Sequence, residues 1–216
     1  MCQPEHASGS GARGRPIPIT NIREARGRPI PITPNMQMDL HWWHEFLPQW
    51  NGVSLIQKER ATWHVWTDAP STKGQGAFFT TPGADHRTVS WEQAFSKKIS
   101  RHHRGKDINF LEMHTVLLAI QRWLPRFRHH RLVIFTDNTT VFHGLSRRSV
   151  RGPAMDPLRK ITLCAAQQDI DIYPQWIPTL ENILADLLSR RDFNKLANLF
   201  PLLTQILSGS PETPQT

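Results

Sequence analysis

From Thr62 onward the apolar positions of the chain switch between short strand-like runs and helical spacing, and this switching predicts the elements. "TWHVWTD" (62–68) reads as a strand; after the turn "STKGQG", "AFFT" (77–80) is its hairpin partner, and "RTVSWEQAF" (87–95) is a third strand. "DINFLEMHTVLLAIQRWL" (107–124) has helical periodicity, with Asp107 or Asn109 as its cap and Pro125 at its end. "RLVIFTD" (131–137) is an apolar strand of the type buried on both faces. "TTVFHGLS" is a short helix, "DPLRKITLCAAQQ" a longer one with Pro157 near its first turn, and "IDIYPQWI" the last strand. In "WIPTLENILADLLSR" (176–190), Ile183, Leu184, Leu187 and Leu188 form the stripe of a closing amphipathic helix. The order β-β-β-α-β-α-α-β-α implies an α/β fold, a hairpin-led mixed sheet with helices packed on it.

The flanks read differently. Residues 1–37 contain "ARGRPIPIT" twice, at 12–20 and 25–33. Proline at alternate positions argues against helix and sheet pairing, so the expectation is a disordered basic, proline-rich arm. Residues 38–60 form a flanking segment in which Leu40, Trp43, Phe46 and Leu47 share a helical face, Pro48 ends the helix and Asn51-Gly52 turns the chain. Residues 61–192 are the main domain. Residues 193–216 hold a C-terminal helix, "FNKLANLFPLLTQIL", with the last eight residues disordered.

Composition narrows the partners. The chain carries a formal charge of +8 and a pI near 10.2, a field that favours polyanions and chiefly nucleic acid. The charge is clustered: Lys97, Lys98, Arg101, Arg104 and Lys106; Arg122, Arg126, Arg128 and Arg131; and Arg147, Arg148, Arg151, Arg159 and Lys160. No apolar run approaches the roughly 20 residues of a membrane span, and no secretion signal is read at the N-terminus. Cys2 and Cys164 fit no CxxC pattern, which argues against a disulfide framework or a thiolate zinc site. The expected setting is intracellular, in nucleus or cytoplasm.

Four acids stand out against this basic background. Asp68 and Asp137 end two strands in matching frames, "VWTDAP" and "IFTDNT", where sheet ligands usually bind. A lone Asp there is more often a turn former, but two in one frame weaken that explanation. Glu112, placed on the first turn of its helix, lines up with Val116, Ala119 and Trp123 on the row expected to face the sheet, where an uncompensated acid costs several kcal/mol. Asp186 lies just beyond the edge of the closing helix's apolar stripe. If two strand ends and two helix starts meet, four carboxylates converge, repel and raise one another's pKa. Two Mg²⁺ ions, with Mn²⁺ as a substitute, would resolve this and suit in-line phosphodiester displacement.

These residues resemble the type-1 ribonuclease H domain of retroelement reverse transcriptases. Asp68, Glu112, Asp137 and Asp186, separated by 44, 25 and 49 residues, match its acidic tetrad in order. "TDAPSTKGQGAFF" resembles the first-strand motif, "INFLEMHTVLLAIQRW" the glutamate helix, "FTDNTT" the second aspartate strand and "IPTLENILADLLSR" the closing motif. The wording of "DLHWWHEFLPQWNG" and "DNTTV" is most similar to DIRS-like elements, with gypsy-like elements next, and the resemblance spans residues 38–192. It implies a five-stranded mixed sheet with helices on both faces. It also implies metal-dependent hydrolysis of the RNA strand of RNA–DNA hybrids, leaving 5′-phosphate and 3′-hydroxyl ends. Asp68 and Asp137 would bridge the metals, with Glu112 and Asp186 completing the shell. Lys97, Lys98, Arg101, Arg104, Asn138, Arg147, Arg148 and Arg151 would hold the nucleic acid, and RNA would be selected through its 2′-hydroxyls.

Three positions depart from the family pattern. Pro70 replaces a Ser, Thr179 stands where Gly is usual, and no His lies between His143 and Asp186. Tyr173-Pro-Gln is not a polymerase palm motif and has no recombinase surroundings, so a reverse transcriptase region would be separate or lost. A DDE-type integrase lacks the helix glutamate. The rival reading is a catalytically weak or inactive nucleic-acid-binding relic.

Overall fold

The computed structural model describes residues 21–23, 29–50, 59–70 and 73–203. The first repeat copy, the Asn51-Gly52 turn, Ser71, Thr72, Cys2 and the last eight residues lie outside them. Two compact units divide the chain, Met1–Glu45 and Phe46–Thr216.

In the first unit, β1 (Asn21–Arg23) pairs antiparallel with β2 (Pro29–Pro31), Ile22 opposite Ile30. This corrects the expectation that alternate prolines prevent pairing. Prolines two apart direct their missing N–H groups to the same edge of a strand, and in a two-stranded pair that edge is free. Helix α1 spans Pro34–Trp50. Pro48 lies inside it and does not end it: so near the C-terminus it removes one backbone bond, and the helix runs two residues further.

The second unit is built on β3 (Thr62–Asp68), β4 (Gly74–Thr80), β5 (Ala94–Lys98), β6 (Arg131–Thr136) and β7 (Asp171–Trp176). Its helices are α2 (Ile108–Arg122), α3 (Leu124–Phe127), α4 (Thr139–Arg147), α5 (Met155–Gln167), α6 (Ile183–Arg190) and α7 (Phe193–Leu199). The sheet order is β5-β4-β3-β6-β7; β3, β4 and β5 are antiparallel neighbours, and β6 and β7 run parallel to β3. With helices on both faces, this is the mixed five-stranded α/β sheet that the sequence pattern implies.

Alternation along the strands builds two cores. Val65, Phe79 and Ile134 face one way, against α2, α4 and α5 through Val116, Ile120, Leu145, Leu158 and Ile161. Their neighbours Trp66, Phe78 and Phe135 face the other way, against Leu184, Ala185, Leu188, Leu196 and Phe200 of the C-terminal helices. Trp66 is opposite both Phe78 and Phe135 in register and stacks between them, with ring centroids 4.7 and 4.6 Å apart. Such cross-strand aromatic pairs pin the register of all three strands.

Asp107 caps α2, accepting from Phe110 N at 3.0 Å. The third strand is shorter and later than its pattern implies, at Ala94–Lys98 rather than 87–95. Local polar bonding takes the preceding residues. Asp85 accepts from Arg87 N and starts the 3₁₀ turn His86–Thr88, and Gln93 N bonds Ser90 O.

Candidate active site

Parallel register places the two strand-end aspartates side by side. Trp66 pairs with Phe135, and two residues on in each chain stand Asp68 and Asp137. Helix α2 crosses beneath them and brings in Glu112 on the buried row of Val116, Ala119 and Trp123. Since α2 begins at Ile108, Glu112 sits in its second turn, not its first. Asp68, Glu112 and Asp137 each contribute an oxygen, and these three atoms lie within 4.8 Å of one another.

Asp68 is 7% exposed and Glu112 5%. Burial pushes the Asp68 carboxyl up to about 6, opposed by a hydrogen bond from Ser189 and reinforced by the charges of Asp137 and Asp186. Burial raises Glu112 well above its ordinary value, reinforced by Asp68 and Asp137 and opposed by the Ala69 N–H. Among the described residues its buried Oε2 has no hydrogen-bond partner. An orphaned carboxylate oxygen facing two other acids is what a hard cation satisfies, so the donor set fits a divalent metal.

Asp186 is in the first turn of α6, outside the 4.8 Å group but close enough to raise Asp68. Its Oδ1 accepts from Arg190 Nε at 2.5 Å, one helical turn on. The closing helix is anchored by Leu184, Ala185, Leu187, Leu188 and Ser189; Ile183, expected in the apolar stripe, is exposed.

The approach of α6 to the sheet explains the Gly-x-Gly of the hairpin. A Cβ at Gly76 would stand 2.4 Å from Ser189 N and 2.7 Å from Ala185 O; at Gly74, 2.7 Å from Ser189 O. Gln75, between them, points to the other side of β4. Its Nε2 lies 2.9 Å from Thr115 Oγ1, 3.0 Å from His114 Nδ1 and 3.2 Å from Leu111 O. Burial pushes His114 down to about 4, so near neutral pH its imidazole is uncharged and accepts from Gln75. The hairpin strand is thus clamped between α6 and α2, the two helices that carry Asp186 and Glu112.

Several contributors were not singled out from the sequence as site residues. Ser189 Oγ donates to Asp68 Oδ2, and Asn182 Nδ2 to Thr67 O at 3.0 Å. Thr179, noted only as a departure, donates through Oγ1 to Asp137 Oδ2 at 2.7 Å. The spacing of Ser189 and Arg190, three and four residues after Asp186 in "ADLLSR", is the signal that could have found them.

The basic residues are spread more widely. Lys97 and Lys98 are exposed on β5, and Arg101 and Arg104 are exposed at and beside the 3₁₀ turn Arg101–His103. Arg147 and Arg151 line a cavity of about 340 Å³ with Thr140, His143 and Ser149. Arg148 is the left-handed cap of α4 and donates to Ile172 O at 3.3 Å. Asn138 is largely committed within the fold: Oδ1 accepts from Thr140 N and Val141 N, and Nδ2 donates to Asn109 Oδ1. A cavity of about 460 Å³ is bordered by Asp85, His86, Arg87, Glu181 and Leu199, and none of the four acids lines it.

No family model matches the sequence, and no curated protein does. Among solved structures, the chain is similar to the N-terminal RNase H domain of a Mycobacterium tuberculosis protein fused to maltose binding protein. That likeness has 22% identity and a TM-score of 0.47, over 59% of this chain and 95% of that one. It is similar to RNase H1 from Halobacterium salinarum at 15% identity and a TM-score of 0.47, over 62% and 98%. It is also similar to LC11-RNase H1, solved in complex with an RNA/DNA hybrid, at 16% identity and a TM-score of 0.49, over 62% and 97%.

Proposed function

We propose that the chain is a divalent-metal-dependent endonuclease that hydrolyses the RNA strand of RNA–DNA hybrids and derives from a retroelement polyprotein. The observation that carries this reading is the convergence of one oxygen each of Asp68, Glu112 and Asp137 within 4.8 Å, with Glu112 Oε2 buried and, among the described residues, unpartnered. Three buried or half-buried acids at the end of a sheet do nothing for stability unless something cationic joins them.

In this reading Asp68, Glu112 and Asp137 would hold the metal, with Asp186 nearby. Bound Mg²⁺, or Mn²⁺ in its place, would lower the pKa of an attacking water and stabilise charge on the phosphate and the departing oxygen. The chain's own contribution is to hold the carboxylates rigidly, each on a different element. Arg190, paired with Asp186, adds a cation at the rim of the acid group. Lys97, Lys98, Arg101, Arg104, Arg147 and Arg151 provide exposed positive charge for two nucleic-acid strands, and position the duplex without reading its sequence. Asn138 would contribute more by capping α4 behind Asp137 than by contact.

The test is a labelled-substrate assay with Mg²⁺. An RNA–DNA hybrid should be cut in its RNA strand to 3′-hydroxyl ends, while DNA duplex and RNA duplex of the same sequence remain intact. Equal cutting of DNA duplex would contradict the substrate assignment.

A further inference from the structure

We infer that Thr179 is a positioning residue for Asp137, fixing one carboxylate oxygen so that the other is presented to the acid group; this rests on the metal-site reading above. The end of β7 and the connection to α6 hold the Thr136–Asp137 strand end at three points, two of them on Asp137. Ile177 N donates to Thr136 O at 3.0 Å, extending the parallel pairing one residue past β7. Trp176 Nε1 donates to the Asp137 main-chain oxygen at 3.0 Å. Thr179 Oγ1 then donates to Asp137 Oδ2 at 2.7 Å. Backbone and carboxylate of one residue are thereby held by a four-residue stretch.

The same arrangement recurs at the neighbouring acids. Asp68 receives the Ser189 hydroxyl on Oδ2, and Glu112 receives the Ala69 N–H. Among the described residues Glu112 Oε2 is buried without a hydrogen-bond partner. Hydrogen-bonded partners of this kind orient ligating carboxylates. Thr179 is exposed and begins the short 3₁₀ turn Thr179–Glu181, whose cap Pro178 makes no side-chain bond. Its hydroxyl is therefore not needed to build the turn. A Gly at this position, usual in the resembling family, has no hydroxyl to give, so this grip is a feature of this chain.

The test compares wild type, Thr179→Val and Thr179→Ser. Binding of Mn²⁺ alone is measured by titration calorimetry, hybrid cleavage is measured for kcat and KM, and a thermal melt monitors folding. Valine keeps the shape and removes the donor; serine keeps the donor. Thr179→Val should weaken Mn²⁺ binding by roughly 10-fold or more, the effect of losing a bond that orients a ligand. It should also lower kcat with KM for the hybrid little changed, and leave the melting midpoint in place. Thr179→Ser should restore both metal binding and kcat. Wild-type affinity in Thr179→Val, or Thr179→Ser as impaired as Thr179→Val, would overturn the inference while leaving the metal site standing. A wild-type protein that binds no Mn²⁺ would overturn the metal-site reading, and this inference with it.

Discussion

Asp68 has a carboxyl held up at about 6 against an ordinary 3.8, chiefly by burial. The folded protein keeps a proton there over a range in which the unfolded chain has lost it. The resulting stabilisation is fully present below about 4 and disappears as pH rises through 6. In the absence of divalent cations, wild type should therefore lose stability relative to Asp68→Asn between pH 4 and 7.5. The loss should be about 3 kcal/mol at most, at 1.36 kcal/mol for each pKa unit. Urea denaturation across that range measures it, and parallel curves for the two proteins would refute the assignment. The identities of the acids were legible because Asp68 and Asp137 repeat one frame and Glu112 lies on an apolar row. Their hydrogen-bond donors were not. Ser189 lies 121 positions from Asp68, and Thr179 lies 42 from Asp137; only folding brings these hydroxyls to their acceptors.

At the scale of the elements, α6 packs closely on the β3–β4 hairpin, and Gly76 is one of the places where they touch. Gly76→Ala would drive a methyl against two backbone atoms, Ser189 N and Ala185 O, which cannot rotate away. We expect a stability loss of about 1–3 kcal/mol, the range for overpacked sites. We also expect weaker Mn²⁺ binding, because α6 carries Ser189 and Asp186. A variant with wild-type stability and Mn²⁺ affinity would show that the hairpin glycines have another purpose. Hairpin, glutamate helix and closing helix were readable from periodicity and turn residues because local pattern and tertiary burial agree there. They disagree at 87–93, where Val89 and Trp91 alternate like a strand, yet Asp85 and the Ser90–Gln93 bond hold turns. They disagree again at Ile183, which completes a helical stripe on paper but is 49% exposed because the sheet meets the adjacent face. Proline misled at both Pro48 and the β1–β2 pair. Its cost depends on whether a donor is needed at that position, which a propensity does not record.

At the scale of the whole molecule, the chain carries a net charge of +8 as well as its acid group, and the proposed function gives the two signs separate tasks. Cations on β5, on the Arg101–His103 turn and after α4 should make hybrid affinity fall steeply with salt through counterion release. The joint change Arg147→Ala, Arg151→Ala should reduce the salt slope by about two while sparing the acid group. A slope unchanged by that double substitution would remove these arginines from the interface. Among the described residues no helix is long and apolar enough to cross a membrane. The proposed nuclease activity requires the acid group to act as a catalytic metal site. Its most direct test is Mg²⁺-dependent cleavage of a labelled RNA–DNA hybrid by wild type and Asp137→Asn, with hybrid binding measured in parallel. Cleavage by wild type alone, with binding retained in both, is the predicted result. Intact RNA in both reactions, with binding retained, would contradict it and leave a nucleic-acid-binding protein with no nuclease.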